Sequence, residues 1–402
     1  MKHRTLWLGA VSAALLAAPL LAQSPDAPVR VPPPSELALR FQRSGVILLL
    51  VDLAVAFAVP GLILLTGWSA RIGRASARWG RRWYPALAIY LWVFGALTTL
   101  ITLPLTFYES FVRLHAYGLS TQTVGKWSHD LLIGLAVNAV IGAAVIWFPY
   151  LLIRKTPRRW WLWTGLAFVP LTAFMLVISP IWIDPLFNRF EPLPDRPLTR
   201  QIHALAARGG IGQARIYRVN KSVDTRALNA YVTGIGGTQR IVLWDTLLDR
   251  LDDREVLVVV AHEMGHYVMH HTWVIVLLSG VVGVAGGFAV DRLARWGLRR
   301  WGQRIGVERL EDPAALPLLI ISMQLVLLVV SPALLALSRH QEHAADRYAL
   351  ELTHDYNAAG RTFVDLQETN LGVPFPPKLL VWLTYSHPPL GERVEFANRM
   401  AP

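Results

Sequence analysis

Six stretches of this chain are each apolar for about the length that crosses a bilayer, and this decides most of what it can fold into. They run roughly over 45–68, 85–108, 130–153, 160–182, 272–290 and 313–337. About 20 apolar residues span the hydrocarbon, where a helix satisfies every backbone hydrogen bond within its own segment. Pro60, Pro104, Pro170 and Pro332 fall inside these stretches, and membrane helices tolerate the kinks they bring. Composition agrees: 53% of residues are hydrophobic and 16% charged, against about 25% charge in a soluble domain. The expected fold class is a mainly α-helical multi-pass membrane protein.

The net charge of +12 is not the footprint of a nucleic-acid partner, because much of the arginine sits in short stretches between apolar runs. Arg71, Arg74, Arg78, Arg81 and Arg82 follow the first run; Arg154, Lys155, Arg158 and Arg159 follow the third; six arginines lie in DRLARWGLRRWGQRIGVER after the fifth. The loop at 109–129 carries only Arg113 and Lys126. With six spans the arginine-rich stretches all fall on one side, which the positive-inside rule makes the cytoplasm. The insertion at 183–271 and the tail after 338 then share the other side. There is no cysteine, so thiol catalysis, disulfides and thiolate ligands are excluded.

Residues 1–22 pair Lys2 and Arg4 with an apolar run, the grammar of a signal peptide or signal anchor. A cut after Ala22 would leave Leu20 where a small residue is preferred. A Pro-rich linker over 23–44 follows, then a membrane domain of four spans over 45–182. Residues 183–402 carry a small α/β unit and the last two spans, 272–290 and 313–337. LTRQIHALAARGG has a helical apolar pattern ending in glycines; RIYRV, NAYVTGIGG and RIVLWDT alternate as strands, with Gly236 and Gly237 at a turn. Asp252 and Glu255 form a capping box that opens the helix LDDREVLVVVAHEMGH.

That helix carries the chemistry. Residues four apart share a helix face, so His262 and His266 can reach one metal ion, and Glu263 projects beside it. This H-E-x-x-H spacing suits one zinc ion with Glu263 as general base, since bound zinc lowers the pKa of water towards ~7. His266 and His270 share the spacing but have no carboxylate in the second position, so His270, further along the same side of one continuous helix, reads as a bystander or as a group behind the ligands. Met269 and Thr272 replace the glycine and histidine of the three-histidine metzincin pattern, which leaves a glutamate on another helix as third ligand. SRHQEHAADRYALEL continues the last span as a helix, and its Glu342 and Asp346 are four apart. Glu342 completes a two-histidine, one-glutamate site, and Asp346 orients a ligand imidazole. An acidic pair four apart is ordinarily a solvated helix face; here the topology brings this helix out on the side of His262.

AHEMGHYVMHHTW, NAYVTGIGGTQRIVLWDTLL, EHAAD and SHPPLGER occur in this order. Together they resemble the integral-membrane zinc proteases of the CAAX prenyl protease 1 family, from about residue 30 to the C-terminus. The resemblance implies His262, His266 and Glu342 as zinc ligands, Glu263 as base and Asp346 as the acid behind the ligands. It also implies Asn229 beside the cleft, and His387 and Arg393 in substrate binding or oxyanion stabilisation. It places a histidine at position 271 without a role. It implies a ring of seven membrane helices around a chamber, capped by the protease domain; if 1–22 is removed, six remain. By themselves, the residues of HPP also read as a turn, and Arg393 as a surface residue. NAYVTGI reads as a strand on which an extended peptide can pair.

The family acts on prenylated proteins from the cytosolic face, whereas the charge count places Glu263 and Glu342 outside the cytoplasm. The expected setting is a bacterial inner membrane with the site facing the periplasm, the bilayer and a peptide or protein substrate as partners, and membrane or exported proteins under quality control as substrates. Two alternatives stand beside the protease: a membrane di-iron desaturase or hydroxylase, which HYVMHH and HQEH faintly suggest but which needs more histidines, and a non-enzymatic membrane scaffold.

Overall fold

The computed structural model describes residues 27–234 and 239–402; the segment read as signal or anchor and the turn at Gly236–Gly237 lie outside them. Helix α1 (Glu36–Leu65) starts where the Ser35 side chain accepts a hydrogen bond from Ala38 N at 3.1 Å. It begins nine residues before the expected span, inside the stretch read as linker. Helix α2 (Trp68–Gly80) follows a left-handed turn at Gly67 (φ 74°). The first arginine-rich stretch is therefore a surface helix rather than a loop: Ser69, Ala70 and Ser76 face inward, and the arginines take the other side. Helix α3 (Trp83–Phe107) runs through a π-turn (Tyr108–Arg113) into the short α4 (Leu114–Ala116). Helix α5 (Val124–Lys155) is capped by Thr123, and α6 (Trp160–Ile178) continues through a second π-turn to Leu186.

The α/β insertion comes next. Its elements are β1 (Phe190–Pro192), α7 (Pro197–Arg208), β2 (Arg215–Val219), β3 (Ala230–Thr233), β4 (Arg240–Trp244) and α8 (Asp245–Arg250). The sheet order is β1-β2-β4-β3. β2 and β4 are parallel, with Ile216 opposite Ile241; β1 pairs antiparallel to β2, and β3 antiparallel to β4, with Tyr231 opposite Val242. β3 is thus an edge strand. Helix α9 (Asp253–Val268) has the capping box, with Glu255 N donating to Asp252 Oδ1 and Asp252 N to Glu255 Oε2, both at 2.9 Å. Val256, Val260 and Met264 of α9 share a core with Ile202 and Leu205 of α7 and Ile216, Ile241 and Leu243 of the sheet.

Helix α9 does not run straight into the next span. His270 is left-handed (φ 58°) and breaks the chain before α10 (His271–Ile305). Helix α11 (Leu316–Thr353), by contrast, continues unbroken from the last apolar run through Glu342 and Asp346. Helices α12 (Tyr356–Thr369), α13 (Lys378–Thr384) and α14 (Leu390–Met400) complete the chain. Among the described residues six helices are long and apolar enough to cross a membrane. α6 and α10 touch backbone to backbone: a Cβ on Gly165 would overlap the Val284 nitrogen and the Gly283 carbonyl carbon. Small residues at such a crossing let dispersion contacts hold helices together where no hydrophobic driving force acts.

The two ends of the bundle differ. At one, Ser69 Oγ donates to Ala314 O and bonds Tyr90 Oη, both at 2.7 Å, and Trp160 Nε1 donates to Asp291 Oδ1 at 2.6 Å. These contacts gather the three arginine-rich stretches. At the other end, Ser120 and Thr225 form a bridge, so the short 117–123 turn meets the α/β insertion. The expected linker is tied down there over 27–35. Val29 N donates to Asn398 Oδ1 (2.9 Å), Asn398 Nδ2 returns to Val29 O (2.8 Å), and Val29 is buried beside Phe363, Val394 and Ala397.

Candidate metal centre

Two helices, α9 and α11, pack closely because their facing residues are small: a Cβ on Gly265 would lie 3.2 Å from Ala345 Cα. His262 and His266 flank Gly265 on α9, and Glu342 and Asp346 flank Ala345 on α11. The close approach therefore turns all four side chains towards one another. His262 Nε2 lies 3.2 Å from Glu342 Oε2, and His266 Nε2 lies 3.3 Å from Glu342 Oε1. The two Nε2 atoms are 3.2 Å apart. Among the described residues these three form the one group of histidine and carboxylate side chains able to hold a metal.

Behind them, His262 Nδ1 sits 2.9 Å from Asp346 Oδ1, and Asp346 is 1% exposed. Arg393 clamps the same carboxylate, Nε to Oδ2 at 2.8 Å and Nη2 to Oδ1 at 2.6 Å. Its guanidinium also lies 4.2 Å from the Phe363 ring centroid. Burial alone would lower the Arg393 pKa, but Asp346 overrides it and holds it above the ordinary value. Arg393 is only 7% exposed, so it is not the surface residue that its sequence context also allowed. Asp346 links it to His262.

The donor set fits a cation. A neutral imidazole carries one N–H. With the His262 proton on Nδ1 towards Asp346, its Nε2 presents a lone pair to Glu342, whose buried Oε2 has no hydrogen-bond donor. Lone pairs from two rings and a carboxylate converging on one point are satisfied by a positive ion, and two imidazoles with one carboxylate suit zinc. Burial alone would lower the His262 pKa, but its hydrogen bonds to Asp346 and Glu342 raise it to about 9. Without an ion, the ring therefore takes a second proton towards Glu342, and a bound ion would replace that proton.

Glu263 is half-buried beside these ligands, and burial raises its pKa, against the opposing pull of His262 and His266. His387 follows α13, which Arg339 of α11 holds by donating to Val381 O (3.1 Å) and Tyr385 O (2.7 Å). Its Nε2 lies 3.3 Å from Glu342 Oε1, and its Nδ1 bonds Ser386 Oγ at 2.8 Å. Desolvation lowers its pKa below the ordinary value, against the opposing pull of Glu342. Asn229 is exposed just before edge strand β3, with Oδ1 accepting from Ala230 N at 2.8 Å; it makes no hydrogen bond to this group among the described residues.

Sequence reasoning left His271 without a role. The structure puts its Nδ1 3.0 Å from His266 Nδ1. His270, which the reading as one continuous helix placed on the same face as His266, is the left-handed break itself and is exposed.

The pattern of peptidase family M48 matches residues 192–401, and that of the CAAX prenyl protease N-terminal, five membrane helices, matches 39–189. The chain belongs to peptidase family M48. It is a multi-pass membrane metalloprotease, and the scaffold and desaturase alternatives fall with that membership. Over 39–189 this M48 protein has four candidate spans and the surface helix α2. It is 37% identical to the uncharacterized metalloprotease YhfN of Bacillus subtilis (strain 168), covering 91% of this chain and 86% of that one. It is 30% identical to CAAX prenyl protease 1 of Saccharomyces cerevisiae, over 76% and 70% of the two chains. The fold resembles the crystal structure of S. mikatae Ste24p, with a TM-score of 0.78 at 24% identity over 89% and 87% of the chains.

Proposed function

We propose that this M48 protein is a zinc endopeptidase that cleaves proteins at the surface of a bacterial inner membrane, with its site facing the periplasm. The observation that carries this reading is the convergence of His262, His266 and Glu342 beside Glu263. Zinc held by these three ligands would supply Lewis acidity towards a peptide carbonyl and its attacking water. Glu263 takes the proton from that water and returns it to the leaving amine; its raised pKa suits both halves of this task. His387, neutral and beside Glu342, donates a hydrogen bond to the developing oxyanion. Edge strand β3, next to α9, holds an extended substrate by main-chain pairing, with Asn229 at its start contacting the peptide. Arg393 and Asp346 keep His262 in its ligating tautomer.

The orientation follows from charge. The arginine-rich stretches meet at one end of the bundle, which should be cytoplasmic, and the α/β insertion and the C-terminal helices lie at the other. Prenylation is cytosolic, so membrane-borne and exported proteins are the substrates that meet the site there, rather than prenylated CAAX proteins. The test is Glu263→Ala. The variant should retain about one zinc per chain and lose peptide cleavage by about 10²–10⁴-fold. Unchanged cleavage would overturn the assignment. Comparing protein fragments in cells carrying wild type or this variant would name the substrates.

A further inference from the structure

The buried His271 is the polar group against the metal centre that the mechanism leaves unused. An unbroken helix advances about 100° per residue, so a residue five positions after His266 would point about 140° away from it. His271 nevertheless meets His266, with ring centroids 5.1 Å apart, planes at 69° and Nδ1 atoms 3.0 Å apart. The left-handed conformation of His270 makes this possible by re-aiming the chain before α10. That conformation is strained for a residue with a side chain, and such strain persists where the surroundings enforce it. Here the enforced turn delivers one side chain to a ligand.

We propose that His271 is a positioning residue for His266. It accepts a hydrogen bond at its Nδ1 from His266 Nδ1–H, so that the lone pair of His266 Nε2 faces the metal. The inference rests on the reading that His262, His266 and Glu342 hold zinc. Its logic is the proton inventory of one ring. His266 Nε2 faces Glu342 and His262, so as a ligand it carries no proton, and the single proton of the neutral ring sits on Nδ1. That N–H is turned away from the carboxylate, towards His271. The acceptor must present a lone pair there, which places the proton of His271 on its own Nε2. His262 has the Asp346–Arg393 pair behind it; His266 has His271. The two ligand rings are thus held by different means, one by a buried ion pair and the other by a neutral imidazole.

The test uses the full chain in detergent, stripped with a chelator and titrated with Zn²⁺ against a competing chelator, and with Co²⁺ for its ligand-field spectrum. His271→Phe keeps an aromatic ring and removes the acceptor. It should weaken Zn²⁺ affinity about 10–100-fold and shift the Co²⁺ bands. His271→Asn restores an acceptor near the Nδ1 position, and should return affinity to within about threefold of wild type together with the wild-type spectrum. A His271→Phe protein with wild-type affinity and spectrum would overturn the inference. So would a His271→Asn protein as impaired as His271→Phe, because packing rather than hydrogen bonding would then account for the loss. If wild type itself takes up no metal, the reading of the site fails too; if it binds one ion and both variants match it, only the role of His271 falls.

Discussion

Replacing Arg393 by methionine separates two roles for this residue: contact with substrate, and support of a metal ligand through Asp346. Met fills much of the same apolar volume against Phe363 but cannot donate. Asp346 is 1% exposed and takes two hydrogen bonds from Arg393, at 2.6 and 2.8 Å, beside one from His262. Charge-assisted hydrogen bonds contribute about 1.5–3 kcal/mol each, and losing one partner of a buried ion pair costs about 3–5 kcal/mol because the other charge is left uncompensated. Arg393→Met should therefore lose about 3–5 kcal/mol, a factor of about 10²–10⁴, divided between folding and zinc affinity. The assay pairs thermal unfolding in detergent, with and without zinc, with chelator competition and with KM for a short peptide. Stability and affinity should fall while KM holds. Adding Asp346→Asn removes the orphaned charge and should recover part of the stability, giving a coupling of about 1 kcal/mol or more. A raised KM with unchanged stability and zinc affinity would refute the reasoning and return Arg393 to the substrate.

Other outcomes follow from different parts of the molecule. In the chelated protein, His262 binds its proton more tightly than the ordinary value of 6.5, up to about 9. Its stabilisation is therefore complete below about pH 6.5 and lost as pH rises through about 9. The difference in melting temperature between wild type and His262→Gln, both metal-free, should shrink over that window, and a difference independent of pH would contradict it. Gly165→Ala places a methyl on the backbone of α10 and should cost about 1–3 kcal/mol or more as overpacking, read as a lower unfolding midpoint in detergent; an unchanged midpoint would show that α6 and α10 do not meet there. A reporter active only outside the cytoplasm, fused after Pro402, should be active, and cytoplasmic activity would reverse the proposed orientation.

The spans were legible because an apolar run of that length has few folded alternatives, and the meeting of His262, His266 and Glu342 because two i, i+4 pairs and the span count pointed to it. The break at His270 was not. HYVMHH contains neither glycine nor proline, so no strong helix breaker marks His270 as a left-handed residue. The surface helix α2 was hidden by its arginines, which weigh more as topology signals than Ser69, Ala70 and Ser76 do as a buried face. The pairing of Arg393 with Asp346 joins residues 47 positions apart through the docking of α14 on α12, and no periodicity records it. The strap at 27–35 reads as a linker because four prolines suggest an extended chain; what seats it are the side chains of Asn357, Gln367 and Asn398, far away in sequence.

The unbroken course of α11 sets a height. Its apolar run ends at Leu337, and Glu342 comes five residues later, about 7 Å along the axis at a rise of about 1.5 Å per residue. On the proposed reading, with that run ending at the bilayer surface, one rigid rod holds Glu342 within the headgroup layer. At that height a scissile bond inside a folded domain standing clear of the membrane would be out of reach. A bond in an unfolded or membrane-tethered stretch would be drawn down to that level, so on the proposed reading the length of a helix would sort substrates before any side chain reads them.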